Sequence, residues 1–135
     1  MKKLLSLCLL ALVAQPLACY PARAPYEYRM ATQTLLATRS AAIGNCYDGL
    51  LKTAPADRGT VVVDFTVEGK TGNLLSPAVN TAASTAPADV QSCVLTNLTG
   101  LVLSPPDGYD APAAFVWDFE PSGPALPSAT PQPHG

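Results

Sequence analysis

The sequence predicts an α+β fold in which a three-stranded antiparallel sheet is covered on one face by two helices. Three observations lead to this prediction. The stretch Thr60–Glu68 alternates apolar and polar residues, as a strand does when one of its faces is buried. The closing stretch Ala114–Glu120 alternates in the same way. Segments 34–51 and 90–101 carry apolar residues at helical spacing, so we expect the order helix, strand, strand, helix, strand.

Residues 1–18 have the charge, length and order of a secretory signal peptide. Lys2 and Lys3 come first, an apolar run from Leu4 to Ala14 follows, and small residues come next. The run is too short for a stable membrane-spanning helix. We therefore expect an exported protein.

The sequence Pro16-Leu17-Ala18-Cys19 resembles the bacterial lipobox, in which a small residue precedes a cysteine that is lipidated and becomes the new N-terminus. Pro16 departs from the motif, which favours Leu at this position. The alternative is ordinary cleavage, for example after Ala14 or Ala18, which would leave Cys19 as a free thiol. Lipidation of Cys19 leaves no odd cysteine in the exported chain, and we adopt it as the working hypothesis.

A short tether is expected over residues 19–29, where prolines occur and no hydrophobic period is present. The proline-free segment 30–52 is predicted to be the first helix, strongest over about residues 34–51. Gly44 lowers the helix propensity of its middle by about 1 kcal/mol. The segment 53–59, with a proline and a glycine, ends the helix and turns the chain into the first strand.

The loop 69–72, with sequence GKTG, places two glycines around a tight connection after the first strand. Such a loop between two strands predicts a hairpin. The return strand is expected over residues 73–81. Pro77 removes one backbone donor from it, which predicts an edge position or a bulge.

The second helix is expected to start at Ser84–Asp89, which offers hydroxyls for capping, a proline for the first turn and an acid near the positive end of the helix dipole. The third strand places Phe115, Trp117 and Phe119 on one side, where we expect them to be buried. The proline-rich tail, 121–135, is expected to be disordered or extended.

The use of cysteine predicts a disulfide between Cys46 and Cys93. Cys8 leaves with the signal peptide and Cys19 takes the lipid, so this pair remains in an oxidising compartment. Both cysteines fall on the apolar stripes of their helices and therefore point at one core. A metal site is not expected, because no two cysteines have chelating spacing and the single histidine, His134, lies in the tail. A redox role is the alternative, although redox pairs usually have the spacing Cys-x-x-Cys.

The charge balance excludes two classes of partner. The formal net charge is −2, and loss of Lys2 and Lys3 with the signal peptide makes it −4. No basic patch remains for a nucleic acid. The same lack of Lys and Arg argues against electrostatic docking on anionic lipid, so membrane attachment would come from the lipid on Cys19.

Catalysis is not expected. The acids Asp64, Glu68 and Asp118 lie on polar faces of the predicted sheet, where acidic residues are ordinary. No nucleophile stands beside a base, and no set of metal ligands is present. The sequence therefore predicts neither an enzyme nor a cofactor, and no small-molecule substrate.

A set of residues spread over about 34–120 carries a family resemblance. They are Asn45, Cys46, Tyr47, Asp48 and Leu51 on the first helix, Gly59–Val67 with Gly69 and Gly72, Val90–Val94, and Phe115–Phe119. In this order, with one cysteine in each helix, the chain is similar to the C-terminal domain of the myxobacterial AgmX/PglI proteins, a relative of the TonB C-terminal domain. The helices here are nearly uncharged, whereas those of the family usually carry basic residues.

The resemblance implies a non-catalytic scaffold or interaction domain of the cell envelope over residues 30–120, here as a small lipoprotein. We expect it to face the periplasm or the cell surface, with the outer membrane as its expected location. Its partner would be an envelope protein, held by strand addition at the edge of the second or third strand. The alternative is a secreted periplasmic interaction protein without a lipid.

Overall fold

The computed structural model describes residues 22–121 and the backbone of residues 123–124 and 128–129. Its elements, in chain order, are α1 (Pro25–Ala37), α2 (Ser40–Leu51), β1 (Gly59–Val67), β2 (Leu74–Val79), α3 (Ala88–Leu98), β3 (Ala111–Glu120), β4 (Gly123–Pro124) and β5 (Ser128–Ala129). The predicted α+β class and its three-stranded antiparallel sheet are confirmed, with the strand order β2-β1-β3.

The strand β1 is the centre of the sheet. It pairs with β3 along its whole length, without a change of register. It pairs with β2 on the other side through the predicted hairpin, and this register shifts between Asp64 and Thr66. Pro77 lies opposite the shift, so β2 has both the bulge and the edge position that the proline predicts.

One face of the sheet is buried, in the predicted alternation. Its side chains are Val61, Val63, Phe65 and Val67 of β1 and Phe115, Trp117 and Phe119 of β3. The helices cover this face with Leu36 of α1, Ile43 and Tyr47 of α2, and Val90, Val94 and Leu98 of α3. Trp117 is only 1% exposed, which confirms that it is a core residue.

The segment 30–52, predicted as one helix, is divided in the structure between α1 and α2. The backbone N–H groups of Thr38 and Arg39 donate to the carbonyls three residues earlier, at 3.2 and 3.0 Å. The Thr38 hydroxyl also donates to the carbonyl of Leu35, at 2.6 Å. Shorter-range bonds of this kind tighten the last turn of a helix and end it. The described part of the chain therefore has three helices where two were expected.

The helix α1 also begins earlier than expected, at Pro25, so the predicted tether over 19–29 is corrected for residues 25–29. A proline in the first turn has the backbone angle of a helix already. The Glu27 carboxylate accepts the N–H of Ala24, at 3.1 Å, and completes the start of the helix. Tyr28 ties this turn to the sheet, because its hydroxyl donates to the carbonyl of Ala111 at 3.0 Å.

The predicted capping role of Ser84 and Thr85 is wrong, because α3 starts later and both hydroxyls face β1. The Ser84 hydroxyl accepts the N–H of Val62, at 2.9 Å, and the Thr85 hydroxyl accepts the N–H of Thr60, at 3.0 Å. These backbone donors lie beyond the end of β2, so the two hydroxyls replace a partner strand there.

The described residues include only part of the two chain termini. In the tail, the backbone of 123–124 and 128–129 pairs with β3, so these residues are extended, which is one of the two states expected for the tail. The signal peptide over 1–18 and the lipidation site Cys19 lie outside the described residues, as does His134. No helix in the described part of the chain is long and apolar enough to cross a membrane.

Candidate functional site

The edge of β2 offers little free backbone to a partner strand. The N–H of Leu74 donates to the carbonyl of Leu101 at 3.1 Å, and the N–H of Leu103 donates to the carbonyl of Gly72 at 2.7 Å. The segment 101–103 thus covers the start of this edge. Further along the strand, Pro77 has no N–H to offer.

The outer edge of β3 can be assigned from the hydrogen bonds of β1. The carbonyls of Thr60 and Val62 accept N–H groups from residues 80–86, on the β2 side of the sheet. The backbone N–H and C=O groups of the odd-numbered residues of β1 therefore point toward β3, where Val61 pairs with Trp117. Because facing residues of an antiparallel pair exchange their bonds, even-numbered residues of β3 direct N–H and C=O groups outward.

The outward residues of β3 begin with Pro112, which suits an edge because it has no donor to lose. The tail then covers part of this edge. Gly123 pairs with Glu120, and Ser128 pairs with Val116. In the described part of the chain, pairing with the tail reaches no further along β3 than Phe115. The edge of β3 is therefore held by short pairings within the same chain.

A second surface is an open groove of about 490 Å³, which we name the α1 groove. It is lined by Met30, Ala31, Thr34, Leu35 and Thr38 of α1 and by Val102, Leu103 and Ser104 of the loop before β3. Met30 and Val102 are 45% and 44% exposed, which is high for large apolar side chains. The lining is apolar with hydroxyl groups and carries no charge.

The chain enters the described fold beside the α1 groove. The backbone N–H of Arg23 donates to Oδ1 of Asp107, at 2.7 Å. The Arg23 guanidinium donates to the carbonyl of Pro105, at 2.8 Å, and Pro105 directly follows the groove residue Ser104. Asp107 is only 5% exposed, so this attachment is anchored in the body of the domain.

The structure joins Cys46 of α2 to Cys93 of α3 by a disulfide, with the two Cα atoms 5.9 Å apart. Both residues are partly buried, and they are separated by 47 positions in the sequence. Asn97 donates from Nδ2 to the carbonyl of Cys93 at 2.9 Å and lies against both sulfurs. The bond therefore ties two helices together, and the redox alternative stays a prediction.

Each of the acids considered for catalysis accepts a hydrogen bond from a different neighbour. Asp64 accepts from the amide of Asn80 at 3.1 Å, Asp118 accepts from the hydroxyl of Thr60 at 2.8 Å, and Glu68 accepts from the hydroxyl of Thr71. Within the residues searched, no group of His, Cys, Asp and Glu could hold a metal ion.

Sequence reasoning missed the α1 groove, because it assigned Tyr26 to a tether and read residues 30–52 as one helix. A signal was present in Ala24-Pro25-Tyr26-Glu27, where a proline is followed two residues later by an acid, as at the start of many helices. With a helix starting at Pro25, Tyr26 and Met30 fall one turn apart on one side. Their exposed apolar side chains would then have been visible as a surface.

The chain matches no model of a known protein family, no curated protein sequence and no solved structure. The resemblance to the AgmX/PglI and TonB C-terminal domains therefore stays a prediction. The function must therefore be inferred from the α+β fold, the two sheet edges and the α1 groove.

Proposed function

We propose that this protein is a non-catalytic binding domain of the cell envelope, tethered by a lipid on Cys19, which holds an extended segment of a partner protein along the outer edge of β3. The observation that carries the proposal is the state of that edge. Its outward backbone groups are covered, in the described part of the chain, only by the short pairings of β4 and β5. Backbone hydrogen bonds supply the affinity in strand addition.

The contrast between the two edges supports β3 over β2. The edge of β2 is bonded to the body of the domain through Leu74 and Leu103 and is interrupted at Pro77. A partner strand there would have to break bonds within the folded core. At β3 it would extend beyond the tail pairings or replace them, and each pairing involves only two residues.

The lipid is tested first, by the intact mass of the protein purified from bacterial membranes. The mature chain should begin at Cys19 and carry the mass of the acyl groups. The variant Cys19→Ser should appear in the soluble fraction without them. A wild-type chain recovered from the soluble fraction with Cys19 as a free thiol would support the alternative, a secreted periplasmic interaction protein.

The strand-addition site is tested with a photo-crosslinking amino acid at Ala114, at the β3 edge, and at Ser92, an exposed position of α3, as the matched control. A defined partner should be crosslinked through Ala114 and not through Ser92. Removal of residues 122–135 should increase the yield at Ala114, provided that the shortened chain melts as the full chain does.

The crosslinked segment, made as a peptide, completes the test by hydrogen exchange. Binding by strand addition should slow exchange of the outward N–H groups of Ala114 and Asp118 and leave the inward N–H groups of β3 unchanged. A peptide that binds but protects amides elsewhere in the domain would contradict strand addition at this edge.

A further inference from the structure

The α1 groove exposes an apolar surface of a kind that soluble domains usually cover. Met30 and Val102 both line it and are nearly half exposed. Tyr26, which is 67% exposed, lies one helical turn before Met30 on the same side of α1. These exposed apolar side chains are grouped on one side of α1, which makes the groove a candidate interaction surface.

The position of Arg23, near the first described residue, indicates what covers this surface. Arg23 is fixed at one end of the groove by Asp107 and by the carbonyl of Pro105. Cys19 precedes Arg23 by four residues. Four residues span at most about 14 Å, so a lipid on Cys19 would hold the bilayer surface within about 14 Å of Arg23, which is bonded to the residue next to the groove residue Ser104.

The chemistry of the groove also fits the boundary between lipid headgroups and acyl chains. Its lining combines apolar side chains with the hydroxyls of Thr34, Thr38 and Ser104, and none of the lining residues is charged. Tyr26 beside it has an aromatic ring with a polar end, a side chain enriched at this depth of a membrane.

We infer that the α1 groove is the face with which the anchored protein lies on the bilayer surface. This inference rests on the lipid of the proposed function, which supplies attachment, and it adds that the groove supplies orientation. The partner of this face is the lipid surface itself. A second copy of the chain, or the acyl chains of the anchor folded back into the groove, would be the other occupants, and the test separates them.

The experiment uses the chain from Cys19 to Gly135, the proposed mature form. Its only free thiol is Cys19, because Cys46 and Cys93 are bonded to each other. Cys19 is coupled to a maleimide-bearing phospholipid in vesicles of phosphatidylethanolamine and phosphatidylglycerol. In the matched control, Cys19 is capped with N-ethylmaleimide and the protein is mixed with the same vesicles.

Met30 is the natural probe, since it is the only methionine between Cys19 and Gly135. The rate of its conversion to the sulfoxide by a water-soluble oxidant is followed by mass spectrometry. A side chain buried at the headgroup boundary should react at least about fivefold more slowly in the anchored protein than in the control. Equal rates would overturn the inference.

The occupant is identified by the fluorescence of Val102→Trp. Its control is Ala82→Trp, at an exposed position in the loop between β2 and α3. Trp117 is buried and gives a constant background. Brominated lipid should quench the fluorescence of Val102→Trp in the anchored protein and leave that of Ala82→Trp unchanged.

Protection of Met30 without this quenching would overturn the inference. It would indicate a second copy if the protection is lost at low protein density on the vesicles, and the anchor's own acyl chains if it persists. Because the lipid is attached chemically, these results do not depend on lipidation in cells. Failure of the proposed function is read separately, from the mass of the cellular protein.

Discussion

At the scale of single residues, Tyr47 connects a helix to a loop and to the sheet. It is 1% exposed, its hydroxyl donates to the carbonyl of Asp57, and its ring lies 5.1 Å from that of Phe119. Burial raises the pKa of the Tyr47 hydroxyl above its ordinary value, and the negative charge of Glu120 raises this pKa further. The neutral hydroxyl is therefore the form that the fold requires.

The raised pKa predicts a loss of stability in alkali. The folded-state pKa of Tyr47 exceeds the unfolded-state value of about 10. The neutral Tyr47 hydroxyl therefore contributes its full stabilisation below about pH 10, and this stabilisation is lost as the pH rises through the folded-state pKa. Tyr47→Phe should lower the free energy of unfolding by about 1 kcal/mol at pH 7 and make the alkaline loss smaller. Urea unfolding at pH 7 and above pH 10 measures both effects.

Tyr26→Phe is the matched control, because Tyr26 is 67% exposed. It should leave the stability at pH 7 unchanged. Some slope should remain in Tyr47→Phe, since burial also raises the pKa of Tyr28. An alkaline slope that is identical in wild type and Tyr47→Phe would contradict the assignment.

Gly72 and Gly100 are two glycines whose replacement by alanine can be compared. Both have a φ of +76°, which other residues adopt with strain. A Cβ at Gly72 would lie 1.9 Å from the carbonyl oxygen of Leu103, whereas a Cβ at Gly100 would meet nothing within 4 Å. Gly72→Ala should cost well over the about 1 kcal/mol expected for Gly100→Ala.

The two glycine variants are compared by denaturant unfolding. The difference between them reports the contact of the β1–β2 hairpin with the segment 101–103, since the backbone strain is common to both. Equal losses would mean that the segment moves away from the hairpin at little cost.

At the scale of elements, the disulfide between Cys46 and Cys93 joins α2 to α3. Closing a loop of 47 residues is worth about 4 kcal/mol by chain entropy. Cys46→Ser, Cys93→Ser and the double variant should therefore all lose stability by similar amounts. Thermal melting under oxidising conditions tests this, and additive losses in the double variant would mean that the two cysteines act separately.

The helix α1 has one buried side and one exposed side, and two of its residues can be compared directly. Leu36 is fully buried in the core, whereas Met30 is 45% exposed. Leu36→Ala should cost about 2–5 kcal/mol of unfolding free energy, because it leaves a cavity. Met30→Ala should change it by less than about 0.5 kcal/mol.

Chemical denaturation of the two α1 variants without lipid tests whether α1 is part of the domain. A small loss for Leu36→Ala would return residues 25–37 to the role of a tether. A large loss for Met30→Ala would mean that the α1 groove is part of the core rather than a surface.

At the scale of the whole molecule, the two proposals give the two surfaces separate roles. We propose that the groove beside Arg23 contacts the membrane and that the edge of β3 binds a partner. The sheet links them, because Tyr28 of α1 donates to the carbonyl of Ala111, the first residue of β3. An anchored domain would thus present the β3 edge in a defined orientation to the bilayer.

The sequence by itself determined the fold class, the hairpin and the buried face of the sheet. These follow from local patterns, because the alternation in Thr60–Glu68 and in the final strand records which side chains are buried. Pro77 in the same way marked an edge strand with a bulge.

Only the tertiary structure decided how distant segments meet. The segment 101–103 closes the β2 edge through backbone bonds, and Ser84 and Thr85 turn from α3 to the backbone of β1. The α1 groove joins residues 30–38 to residues 102–104. Backbone groups are the same in every residue except proline, so bonds between distant backbones leave no pattern in the side chains from which they could be predicted.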